Sequence, residues 1–114
     1  MLELVTMPNE RPELRLYDRH TLPLPSCCPV SGNPQGGSSV SVSDRAGLRV
    51  LEVYSLTAYL QSFVGGHPSG VRTMEGMIQQ IATDCAAAVG IRVRVRAQVL
   101  LQEGTLEFAC EARP

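Results

Sequence analysis

The chain has 114 residues, a formal net charge of −1 and an apolar share of 44%. That length is one domain with a small core, and no apolar run approaches the roughly 18 residues of a membrane span. The balanced charge shows neither a nucleic-acid footprint nor an acidic tail, so direct nucleic-acid binding and a membrane partner are not expected. Lysine is absent, and all ten basic residues are arginines. No lysine is therefore available as a base, a Schiff-base former or a phosphate clamp. The N-terminus carries Glu3 and Glu10 and lacks a basic-then-apolar leader, so the expected location is cytoplasmic.

Residues 1–25 hold four of the eight prolines and little periodicity, which predicts an extended arm ahead of a single domain over 26–114. Residues 26–38 are turn-rich, with Gly32, Gly36 and Gly37. Ser39-Val40-Ser41-Val42-Ser43 alternates as a half-buried strand does. Asp44-Arg45-Ala46-Gly47 predicts a hairpin turn into a second strand, Leu48–Val53. Leu56, Tyr59, Leu60 and Phe63 then fall at i, i+3, i+4 and i+7, the stripe of a short amphipathic helix, with Ser55 placed to cap it. Gly65-Gly66-His67-Pro68-Ser69-Gly70 breaks the chain.

A longer helix is predicted over roughly 71–89, and Gly90 is its natural stop. Ile91, Val93, Val95, Ala97 and Val99 alternate with Arg92, Arg94, Arg96 and Gln98 in a third strand. Leu106, Phe108 and Cys110 alternate with Glu107 and Glu111 in a fourth. The order strand, strand, helix, helix, strand, strand predicts an α+β fold, a four-stranded antiparallel sheet with both helices on one face. The other sheet face, rich in Arg and Glu, is either solvated or turned into a barrel built from several subunits. Two open sheet edges favour assembly of several copies.

The cysteines are Cys27, Cys28, Cys85 and Cys110. Their spacing fits no zinc ribbon or finger, so no metal is expected. Cys85 falls on a helix face and Cys110 in a strand, where small buried thiols are common. Cys27-Cys28-Pro29-Val30-Ser31-Gly32-Asn33-Pro34-Gln35 instead puts a thiol on a tight turn, exposed and fixed in direction, as a nucleophile requires.

With that turn, Glu52-Val53-Tyr54-Ser55-Leu56-Thr57-Ala58-Tyr59-Leu60 and Glu75 near the start of the long helix, residues 26–111 resemble the 7-cyano-7-deazaguanine reductases, the QueF nitrile reductases of queuosine synthesis. The resemblance covers about three quarters of the chain. It implies a tunnelling fold (T-fold) of ββααββ order, joined into a multi-subunit barrel, a pentamer or decamer, with a purine-like base held between subunits. It implies Cys28 as the nucleophile that forms a thioimide with the nitrile of a deazapurine substrate, and reduction to the aminomethyl product by NADPH. It implies Glu75 as the carboxylate that grips the base, with Ser55 and Leu56 also at the substrate.

The chain departs from the family pattern at several positions. Gln35 stands where the family has a proton-donating aspartate, and Met74 where it has a histidine. Tyr54 and Thr57 stand at the two lysines of the cofactor motif. His67 is the substitute candidate for an acid, and Arg72 for a phosphate contact. Two other readings follow: an amidine-forming QueF-like enzyme that uses ammonia, and a non-catalytic T-fold module that binds a purine- or pterin-like base.

Overall fold

The computed structural model describes residues 4–27 and 33–114. Their elements run β1 (Thr6–Pro8), β2 (Tyr17–Pro23), β3 (Ser39–Arg45), β4 (Arg49–Leu51), α1 (Val53–Gln61), α2 (Met74–Val89), β5 (Val93–Leu100) and β6 (Thr105–Ala112). The fold is α+β. Its main sheet is antiparallel, in the order β2-β3-β5-β6, and β1 pairs separately with β4.

β5 shows how the sequence makes this sheet. Val93, Val95 and Val99 are buried while Arg94, Arg96 and Gln98 between them are exposed, because successive side chains of a strand point to opposite faces. Register places Val42 opposite Val95 and Val40 opposite Ala97, so the apolar rows of two strands share one face. That face packs into a single core with Leu56, Tyr59 and Leu60 of α1 and with Ile78, Ile81, Ala82, Cys85 and Val89 of α2. Each fully buried Leu, Ile or Val contributes about 1.5–3 kcal/mol relative to exposure. Both helices therefore cover the same side of the sheet.

Three expectations need correction. The first sheet strand is β2, inside the segment expected to be an arm. β3 pairs along its whole length with β2, and no hairpin joins β3 to β4. Asp44 and Arg45 continue β3, and Arg49–Leu51 pairs instead with Thr6–Pro8. The strand-strand-helix-helix-strand-strand order holds for the main sheet once it starts at Tyr17. Finally, the cap of α1 is Glu52, whose carboxylate accepts from the N–H groups of Tyr54 at 2.8 Å and Ser55 at 2.6 Å. Ser55 is already occupied, its Oγ accepting the Val5 N–H at 2.9 Å and tying the chain ahead of β1 to the helix.

α2 starts at Met74, capped by Thr73, whose Oγ1 accepts the Gly76 N–H at 2.9 Å. It stops at Gly90, which holds φ of 75°, a conformation that glycine adopts without a Cβ penalty. The helix pair is locked by Tyr59, whose hydroxyl donates to Asp84 Oδ2 at 2.5 Å, while Gln80 Nε2 donates to Asp84 Oδ1 at 2.9 Å. No helix among the described residues is long and apolar enough to cross a membrane.

Candidate functional site

Two stretches of backbone that are distant in sequence meet at the start of α2. The Cys27 N–H donates to the Asn33 carbonyl at 3.1 Å. The Cys27 carbonyl accepts from Gly65 N–H at 3.4 Å, which ties Cys27 to the glycine-rich loop. Between them lies a cleft of about 510 Å³, lined by Cys27, Phe63, His67, Arg72, Met74 and Met77 together with the loop glycines. The side-chain lining is mostly apolar, with one guanidinium, one imidazole, one thiol and the Thr73 hydroxyl, the composition of a small-molecule site.

Cys27 is half-buried. Its thiol donates to the Pro25 carbonyl at 3.3 Å and lies 3.8 Å from Met77 Sδ. Cys28 itself lies outside the described residues.

His67 stacks on Phe63, with ring centroids 4.2 Å apart and planes 14° from parallel. Its Nδ1 accepts the Ser69 N–H at 3.2 Å and lies 2.8 Å from Ser69 Oγ. The hydrogen bonds thus assign Nδ1 as acceptor, and in the neutral ring the proton sits on Nε2. Stacking and the Ser69 turn fix the ring plane. Arg72 lines the same cleft, so the structure brings these two candidates together with Cys27.

The other expected residues fall elsewhere. Glu75 is exposed on the first turn of α2, one position past Met74, and does not line the cleft. Leu56 has no exposed surface and belongs to the core, so its side chain is not available to a ligand. Ser55 is engaged by Val5 and Glu52. Tyr54 is 82% exposed at the first turn of α1, and Thr57 is exposed with its Oγ1 donating to the Val53 carbonyl at 3.1 Å. Neither offers a cation, so these positions do not fit the two-lysine phosphate clamp of an NADPH site. Gln35 donates from Nε2 to Asn33 Oδ1 at 2.9 Å and does not line the cleft.

Sequence reasoning missed Phe63, Met74 and Met77 as cleft residues. Phe63 and Met77 are buried and Met74 is half-buried against the core. Only the approach of Cys27 to the start of α2 shows that they border a cavity. Among the described residues no group of three or more His, Cys, Asp and Glu side chains converges to hold a metal.

Two groups outside the cleft have displaced acidities. Burial, with the negative charges of Asp84 and Asp44, pushes the Cys85 thiol up to about 12. Burial and the facing Asp18 carboxyl push Asp44 up to about 7, and Asp44 Oδ1 is buried with no hydrogen-bond partner among the described residues. Asp18 and Asp44 are direct cross-strand neighbours. No protein-family model matches the chain, and no curated protein matches it.

Proposed function

We propose that the chain is a T-fold subunit that processes 7-cyano-7-deazaguanine through a covalent thioimide on Cys28. The observation that supports this is the cleft at the start of α2, where Cys27, His67 and Arg72, distant in sequence, line one cavity. Cys28, next to Cys27 in sequence, supplies the thiol in this reading. Its sulfur adds to the nitrile carbon, one C–N π bond breaks, and the nitrile nitrogen takes the proton that the thiol gives up. His67, with its proton on Nε2, donates a hydrogen bond that polarises the nitrile nitrogen in this reading. The apolar walls receive the ring, and Glu75 accepts N–H bonds from the guanine-like edge of a base bound where two subunits meet.

The step after the thioimide separates two branches. In the reductases it is reduction to the aminomethyl product, and in the amidine-forming relatives it is attack by ammonia, which releases the thiol. Because Tyr54 and Thr57 supply no cation, no hydride step is assigned to these residues. The non-catalytic reading is favoured by one observation, the absence of a carboxylate from the described lining of the cleft.

Calorimetric titration with 7-cyano-7-deazaguanine tests the base site. Glu75→Gln should weaken binding by roughly 10- to 100-fold, the equivalent of about 1.5–3 kcal/mol for a charged acceptor with two donors. Cys28→Ala should leave the non-covalent affinity nearly unchanged. Equal affinity for the wild type and Glu75→Gln would remove Glu75 from the site.

A further inference from the structure

The sheet face turned away from the helices carries a concentration of positive charge that the net charge of the chain conceals. Arg19 of β2, Arg45 of β3 and Arg94 and Arg96 of β5 all project from it by register, and Arg92 precedes β5 in the same phase. The acids that project from it by register are Glu107 and Glu111, both on β6, and Asp18 and Asp44 of the opposite phase border it at one end. Glu52, Glu75 and Asp84 belong to the helix layer. The packed core lies between these acids and the arginine face. A ligand on this face meets its arginines and hardly feels the acids behind the core.

The floor of the face is β3, which presents Ser39, Ser41 and Ser43. Register sets Ser43 between Arg19 and Arg94, and Ser41 between Thr21 and Arg96. Short hydroxyl side chains are thus flanked by long guanidinium side chains, which makes a trough. Two clefts of about 670 and 580 Å³ lie along it, and Arg19 lines both. Glu111 is shared by Arg92 at 3.7 Å and Arg94 at 3.9 Å. Arg19, Arg45 and Arg96 make no ion pair with a described residue.

We propose that this trough binds the phosphodiester backbone of a single-stranded nucleic acid. Donors recur on one face of a strand at every second residue, about 6.8 Å apart. A linear polyanion meets several of them at once, whereas an isolated phosphate meets one pair. Guanidinium groups suit phosphate because their donors form a planar fork. Tyr17, opposite Arg45 at one end of the trough and 68% exposed, offers a ring on which a base can stack. The row of serines reads no base edge, so the binding lacks sequence preference and is sensitive to salt. The trough shares no lining residue with the cleft at α2, so it stands independently of the nitrile chemistry.

Fluorescence anisotropy with a labelled 12-nucleotide single-stranded RNA tests this, with a labelled oligoglutamate of the same charge as the competing acidic-protein probe. The expected dissociation constant at 50 mM salt is about 10⁻⁵ M, and about three phosphate contacts predict a loss on the order of 20-fold at 200 mM. The double variant Arg19→Gln, Arg96→Gln should weaken RNA binding at least 10-fold with an unchanged melting temperature. Ser41→Asp, which puts a negative charge on the floor, should do the same. Arg49→Gln, on the separate β1–β4 pair, should stay within twofold. No RNA binding at 50 mM salt, equal binding of oligoglutamate, or an equal loss in Arg49→Gln would each overturn the proposal.

Discussion

The Cys85 thiol has no exposed surface and its acidity is suppressed to about 12, so at pH 8 it is a buried neutral group and a poor nucleophile. Limited iodoacetamide treatment followed by peptide mapping should leave Cys85 unmodified in the folded protein. Cys28 should alkylate ahead of Cys27, whose thiol is held between the Pro25 carbonyl and Met77, and ahead of Cys110. Equal labelling of Cys27 and Cys28 would leave no reason to name one of them the nucleophile. The expected thiol-bearing turn rests on Pro and Gly neighbours in the sequence, and most of it lies outside the described residues. The sequence could not show the partner of Cys27, because Met77 stands fifty residues away.

Asp44 gives a second prediction at this scale, with a definite sign. Its folded pKa of about 7 lies above the ordinary 3.8, so between those values the unfolded chain gives up a proton that the folded chain keeps. Stability from this group is present below about pH 4 and is lost as pH rises toward 7. Urea midpoints measured from pH 4 to 8 should therefore show a smaller decline with pH in Asp44→Asn than in the wild type. A parallel decline in both proteins would show that the Asp18–Asp44 pair is not its source. Strand alternation predicted none of this, since Asp44 was read as part of a turn.

At the scale of elements, the start of α2 is set by two contacts that work against ordinary helix propensity. Gly76 sits in the first turn, where alanine would usually gain about 1 kcal/mol. A Cβ there would meet Thr73 Oγ1 at 2.9 Å and Val71 Cγ1 at 3.2 Å. Overpacking of that kind costs about 1–3 kcal/mol, and the Thr73 oxygen it displaces is the cap itself. Gly76→Ala should therefore destabilise by about 1 kcal/mol, and Thr73→Ala by a similar amount through loss of the cap. Thermal denaturation measures both, and a higher melting temperature in Gly76→Ala would contradict the packing account.

α2, β5 and β6 were legible in the sequence because their apolar positions keep an unbroken period. β2 was not, because two of its three inward positions are Asp18 and His20, and only Leu22 is apolar. An edge strand with polar inward residues carries little periodic signal, and prolines at its end and just beyond suggested an arm. The same miss moved Arg49–Leu51 into a hairpin that does not form.

For the whole molecule, β2 and β6 are the open edges of the main sheet, and exposed edges of this length are seldom left unpaired. Apolar residues exposed around the β1–β4 pair, Val5, Met7 and Leu48 among them, add surface that a second copy could cover. Sedimentation velocity at micromolar concentration should show a ring of several subunits, five or a multiple. A clean monomer would contradict this assembly and would leave Glu75 too far out on the surface to complete the cleft.

The defining step of the proposed chemistry is a sulfur–carbon bond between Cys28 and a nitrile base. Intact-mass measurement after incubation with 7-cyano-7-deazaguanine tests it directly, because addition of a thiol to a nitrile loses no atoms. Wild type and Cys27→Ala should both gain the full mass of one base, Cys28→Ala should gain nothing, and subsequent NADPH or ammonia should discharge the adduct and identify the branch. A wild-type protein that binds the base in calorimetry and never gains its mass would contradict the enzymatic reading and leave a base-binding module.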